Sequence, residues 1–216
     1  MTKDDPYYIS AVGALGEGSS NSLSKDTDLA LAIGTKLADF TTGSWANFEN
    51  PNFRLVSVNT ARYDTTKHLA TPVISDAKIG LEKISEALGN WKAPDDWYKR
   101  AIKEKNEWDA YVEKQSGPTN QEEPSYAHAV GAVYRNSDPS DIVVTAAGGL
   151  VGEVVQVWKP KQLNTFETEW GFSCMGYEIS GALGIKMAKP DQDVVVFVGD
   201  GSYLLNNTDI YSSVIY

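Results

Sequence analysis

The chain has 216 residues with 19 basic and 29 acidic side chains, a formal net charge of -10. That length can bury a core, and that sign opposes a surface built to neutralise nucleic-acid phosphates. A hydrophobic share of 42% beside 22% charged residues excludes wholesale disorder, and a single cysteine, Cys174, excludes an intrachain disulfide or a multi-thiolate metal site. The opening stretch MTKDDPYYIS has no basic region followed by an apolar one, and no apolar run is long enough to span a bilayer. The expectation is a cytoplasmic protein with neither nucleic acid nor membrane as partner.

In chain order, Leu29 to Gly34 (LALAIG) predicts a short buried strand stopped by glycine, and Phe53 to Asn59 (FRLVSVN) a second. Asp76 caps a predicted helix in which Ile79, Ile84 and Leu88 recur near helical spacing, with Gly89 placed to end it. No opening strand is legible before the first helix of this layer. Pro94-Asp95-Asp96 announces a long helix with Trp97, Ala101, Trp108 and Val112 on one face, ended by Gly117-Pro118. Pro124 suits the first turn of a helix carrying Ala127, Val130 and Val133. Strand Asp141 to Ala147, a Gly-Gly loop, a helical stretch through Trp158 and an extended piece Gln162 to Glu167 follow. A glycine-spaced helix, Ser173 to Ala188, then leads to strand Val194 to Val198 and Gly199-Asp200-Gly201. This alternation predicts an α/β fold of two partial three-layer open parallel-sheet domains with right-handed crossovers. The boundaries fall at 1–90, a connecting helix over 91–123, and 124–216.

Ligands of open parallel sheets bind beyond the carboxyl ends of the strands. Two such ends carry glycine loops, Gly148-Gly149 and Gly199-Asp200-Gly201-Ser202, where bare backbone N–H groups suit an anionic phosphate. Asp200, flanked by glycines, suits a hard cation such as magnesium; a plain tight turn is the alternative. Met175 reads singly as a gap-filling core residue, and Cys174 as a buried small hydrophobe with no histidine nearby to activate it. His68 and His128 lack partners at metal spacing and read as satisfied or solvent-facing, and the six tryptophans as mostly core or interface anchors.

Together GGL (Gly148 to Leu150), EWGFSCMGYEISGALG (Glu169 to Gly184) and VFVGDGSYL (Val196 to Leu204) resemble the thiamine diphosphate-dependent enzymes. Within that superfamily FSCMGYEI followed by GDGSY is most similar to the hydrolases that open a cyclic 1,2-dione to 5-deoxyglucuronate in myo-inositol breakdown. Ala32 to Phe48 and Asn59 to His68 are similar to that family's middle domain. The resemblance makes 1–90 a middle-domain remnant and 124–216 the front half of a cofactor-binding domain. It implies thiamine diphosphate and magnesium as cofactors, with Asp200 as a metal ligand. Gly199, Gly201 and Ser202 would face the diphosphate on one side, and Gly148 and Gly149 would line its other side or the entry to the reacting carbon. Met175 would be the wedge that bends thiamine, beside Cys174, with the Ser173 carbonyl accepting from the 4′-amino group. The cofactor carries the hard chemistry while protein groups orient it.

The family's second metal ligand, an asparagine roughly twenty-five to thirty residues past the GDG, has no counterpart in the 15 residues after Gly201. Asn206 and Asn207 are poor substitutes within the predicted helix. The activating glutamate of the family lies in a domain ahead of this stretch, and Glu167, Glu169 and Glu178 sit in the wrong segment to replace it. The expectation is a fragment without a catalytic residue of its own, inactive as a hydrolase and at best a weak cofactor binder. Its parent would act on a small cyclic diketone, as a homo-oligomer with active sites between subunits. The alternatives are another thiamine diphosphate enzyme of acetolactate synthase type, a nicotinamide or flavin oxidoreductase, for which the glycines from Gly13 to Gly18 follow no convincing strand, and a non-catalytic binding module.

Overall fold

The computed structural model describes residues 5–215; Met1 to Asp4 of the opening stretch, and Tyr216, lie outside it. The chain divides into two compact units, one of residues 9–108 and the other of 109–215 with 5–8. Among the described residues no helix is long and apolar enough to cross a membrane.

The first unit runs α1 (Gly18–Asp26), β1 (Leu29–Ile33), α2 (Asp39–Thr42), β2 (Arg54–Asn59), α3 (Arg62–Thr66), β3 (Thr71–Ile74) and α4 (Ala77–Leu88). Its sheet is parallel in the order β1-β2-β3, with Leu31 opposite Val56 and Val58 opposite Val73. β2 is the buried centre, with Leu55, Ser57 and Val58 inside. Both strands expected here form, but β1 is not buried as expected: Leu29, Leu31 and Ile33 are exposed along one side of this edge strand. β3 was not anticipated. Its Pro72 reads against a strand, and an edge position tolerates it because the missing N–H would face away from the ladder. Asp76 caps α4 as expected, its Oδ1 accepting from the N–H groups of Lys78 and Ile79, and Gly89 ends the helix at φ 57°. No strand precedes α1 among the described residues.

α5 (Asp95–Ser116) fills the span read from Pro94 to Gly117, with Ala101 and Val112 buried. The boundary between the two units falls inside this helix, after Trp108.

The second unit continues with α6 (Tyr126–Asn136), β4 (Ile142–Thr145), α7 (Gly149–Val157), β5 (Phe166–Thr168), α8 (Tyr177–Ala188), β6 (Val194–Val196), α9 (Asp200–Asn206) and α10 (Thr208–Ile215). Pro124 does not enter the first turn of α6. Ser125 is the N-cap, in a reciprocal pair with His128: the Ser125 N–H donates to His128 Nδ1 at 3.1 Å and the His128 N–H to Ser125 Oγ at 3.4 Å. His128 is thereby satisfied, as expected, and His68 lies against the Trp45 ring at 4.4 Å between centroids. The sheet is parallel in the order β5-β4-β6. β4 is wholly buried in the middle. On one face Ile142 and Val144 pack with Tyr177, Ala182 and Ile185 of α8 and with Val194 and Val196. Phe197, next in the alternation and so directed to the other face, meets Trp158 at 5.9 Å, and Trp158 meets Tyr134 of α6 at 5.4 Å. Trp158 is thus a core anchor, whereas Trp91 and Trp170 are exposed. The extended piece expected over 162–167 narrows to three residues, because the strand exists only where Val143, Val144 and Thr145 offer it partners.

Candidate functional site

Loops leave the carboxyl ends of β4, β5 and β6 and converge. The neighbours of β4 lie on opposite sides of it in the sheet, an order that opens a crevice where successive connections run to opposite sides.

The first loop holds Ala146, Ala147 and Gly148. Gly148 is the N-cap of α7 at φ 83°, a left-handed conformation that a side chain would strain. Gly148 and Gly149 are exposed, and a Cβ on either would meet open space. Bare backbone at the start of a nine-residue helix faces outward there.

The second loop, from Glu169 to Gly176, replaces the first turn of the helix expected from Ser173. The Glu169 carboxylate accepts from the N–H of Cys174 at 2.8 Å and of Phe172 at 2.9 Å, so these amides are taken by a side chain. The N–H of Cys174 is the leading cause, followed by that of Phe172, of a carboxyl held below the usual glutamate range, with the Cys174 thiol a lesser one. Ser173 stands at φ 52° and Gly176, the N-cap of α8, at φ 94°. A left-handed serine is a sparsely populated conformation, and the Ser173 hydroxyl donates to the Ala146 carbonyl at 3.1 Å. Cys174 is exposed rather than buried, a correction that follows from its place on this loop instead of a helix face.

In the third loop Gly199 is the N-cap of α9 and Asp200 its first residue. Asp200 is exposed and makes no ion pair among the described residues; its Oδ1 accepts from the Gly201 N–H at 2.8 Å. Met175, 51% exposed, brings its methyl to 2.9 Å from where a Cβ on Gly201 would stand. A side chain at 201 would push the methionine's flexible end aside. Ser202 is buried. Asn206 is no partner to Asp200: six residues of helix carry it about 9 Å along the axis, and its Nδ2 donates to the Gly176 carbonyl at 3.2 Å and to Asp209 at 3.1 Å.

The structure therefore brings Ser173, Cys174, Met175, Gly199, Asp200, Gly201 and Ser202 into two adjoining loops, with Gly148 and Gly149 on a third bonded to them through Ser173. The residue that sequence reasoning set aside is Glu178. It is fully buried and accepts from the N–H groups of Ala147 and Gly176, each at 3.0 Å. The available signal was an acidic residue in the first turn of an otherwise apolar helix.

The donor set fits a diphosphate and a hard divalent cation: bare backbone at Gly148 and Gly149 on one side, and on the other the exposed Asp200 carboxylate, whose Oδ1 holds the Gly201 N–H. No group of three or more His, Cys, Asp or Glu side chains that could hold a metal ion occurs among the described residues.

Parallel sheets flanked by helices, with glycine loops at the carboxyl ends of the strands, define an open α/β protein. Two family models match: thiamine pyrophosphate enzyme, central domain, over residues 1–84, and thiamine pyrophosphate enzyme, C-terminal TPP binding domain, over residues 146–216. The chain belongs to the thiamine pyrophosphate enzymes. It is similar to the 3D-(3,5/4)-trihydroxycyclohexane-1,2-dione hydrolase of Clostridium tetani (strain Massachusetts / E88), 34% identical over 230 residues, covering 95% of this chain and 36% of that protein. The proteins of the same name from Geobacillus thermodenitrificans (strain NG80-2) and Lacticaseibacillus casei are 33% and 30% identical, with 96% and 100% of this chain covered. The chain spans about a third of the length of these curated relatives, 36% to 37%.

Proposed function

We propose that the chain supplies the cofactor-clamping part of a thiamine diphosphate- and magnesium-dependent hydrolase that opens the ring of a trihydroxycyclohexane-1,2-dione. The observation that carries this reading is the Met175 methyl packed against Gly201, one residue from an unpaired Asp200. The relatives' names support the substrate class. On the same reading the protein works in the cytoplasm, in an oligomer whose sites form between subunits.

When bound, thiamine diphosphate supplies a carbon nucleophile that adds to a ketone and stabilises the charge left when the ring C–C bond breaks. The residues of this chain bind and orient. Asp200 would ligate magnesium, while the amides of Gly201 and Ser202 and those at the start of α7 would take diphosphate oxygens. Met175 would be the apolar wedge that bends thiamine and brings its reacting groups together, a proximity device of the kind that supplies part of a barrier before any bond changes. The strained Ser173 would direct its carbonyl toward the cofactor, its hydroxyl being engaged with Ala146.

Isothermal titration of thiamine diphosphate with and without magnesium tests this on the chain and on Asp200→Asn. The expected result is weak, magnesium-dependent binding that falls at least about tenfold in the variant, since a hard cation prefers a charged oxygen. No magnesium-dependent heat, or equal binding by the variant, overturns the reading.

A further inference from the structure

We propose that Glu178 is a positioning residue for this site: one buried carboxylate clasps the glycine loop after β4 to the methionine loop before α8. The proposal rests on the cofactor reading above. Glu178 is 0% exposed. Its Oε1 accepts from the N–H of Ala147 and its Oε2 from the N–H of Gly176, both at 3.0 Å. Ala147 precedes Gly148, and Gly176 follows Met175, so the two oxygens of one side chain set the spacing between the two surfaces expected to hold the cofactor. A carboxylate suits the task because it offers two acceptor oxygens and no donor. Its charge is balanced by these charge-assisted bonds and by the start of α8. Asn206 holds Gly176 from the other side through its carbonyl, so the two peptide groups flanking Gly176 are pinned, one at its N–H and the other at its C=O.

Glu178→Gln is nearly isosteric but replaces one acceptor with an NH2 group, which must face a backbone N–H. The expected outcome is a loss of amide-exchange protection of at least about tenfold at Ala147 or Gly176, with Val143 and Val144 of β4 as protected as before. Titration with thiamine diphosphate and magnesium should show affinity reduced about tenfold, the size of one lost charge-assisted bond. If Glu178 acts through Met175, the double variant with Met175→Ala binds no more weakly than the worse single variant. Unchanged protection at both amides, or losses that add in the double variant, overturn the clasp. Failure of the cofactor reading shows separately: Asp200→Asn would then bind as the unaltered chain does, whatever the exchange data say. Should Glu178→Gln not fold, exchange in the unaltered chain decides: one carboxylate holding both amides requires matched protection at Ala147 and Gly176, and a difference beyond tenfold overturns it.

Discussion

Glu169 folds the loop that carries Met175. Its carboxylate does so only while ionised, because the N–H groups of Cys174 and Phe172 bind the charged form, and this is why its carboxyl is held below the ordinary value near 4.5. A lowered carboxyl stabilises the folded loop at every pH above that ordinary value, and the contribution disappears as the pH falls through the folded-state value. Protection factors at Phe172 and Cys174 should therefore hold from neutrality down to about pH 4.5 and decline below it, with Glu169→Gln unprotected throughout. Equal protection at these two amides in Glu169→Gln and in the unaltered chain at neutral pH would contradict this. The aspartate and glycines of the third loop are legible from sequence because their chemistry is in their identity. The packing of the Met175 methyl on Gly201 is not, since it depends on two left-handed residues, Ser173 and Gly176, whose conformation is imposed by side chains at positions 169, 178 and 206.

The elements that sequence defines best are those whose ends are settled locally. α4 is bounded by Asp76 and Gly89, α5 by residues next to Pro94 and Gly117, and each was read to within a residue or two. Asp76→Ala removes an acceptor shared by two N–H groups, and should cost about 1 kcal/mol of stability in thermal or urea unfolding; a change below about 0.3 kcal/mol would show that water replaces the cap fully. Elements settled by partners are read less well. β3 is invisible without β2 beside it, because a four-residue run containing Pro72 has no strand signature of its own. β5 shrinks to the three residues that β4 can pair. α8 starts later than its apolar spacing suggests, since the side chain of Glu169 takes amides that a first turn would have ordered differently.

At the scale of the whole molecule, both sheets of the described residues are three strands wide. β1 turns Leu29, Leu31 and Ile33 outward at 48%, 40% and 37% exposure, and beside β6 an open apolar groove of about 980 Å³ is lined by Ile179, Ala182, Leu183, Met187, Val194 and Val196 among others. Flat apolar edges pair with other chains unless charge prevents it. The 216-residue chain should associate with rising concentration in sedimentation velocity, and Leu31→Lys should shift it toward the monomer; identical profiles would place the contact elsewhere. β4 has the opposite character, with a neighbour on each flank and every residue buried. Ala146 and Ala147, which receive the ties from Ser173 and Glu178, are its immediate continuation. The loops after β4, β5 and β6 thus rise from a stationary base: residues at their tips can be exchanged while that base stays in register.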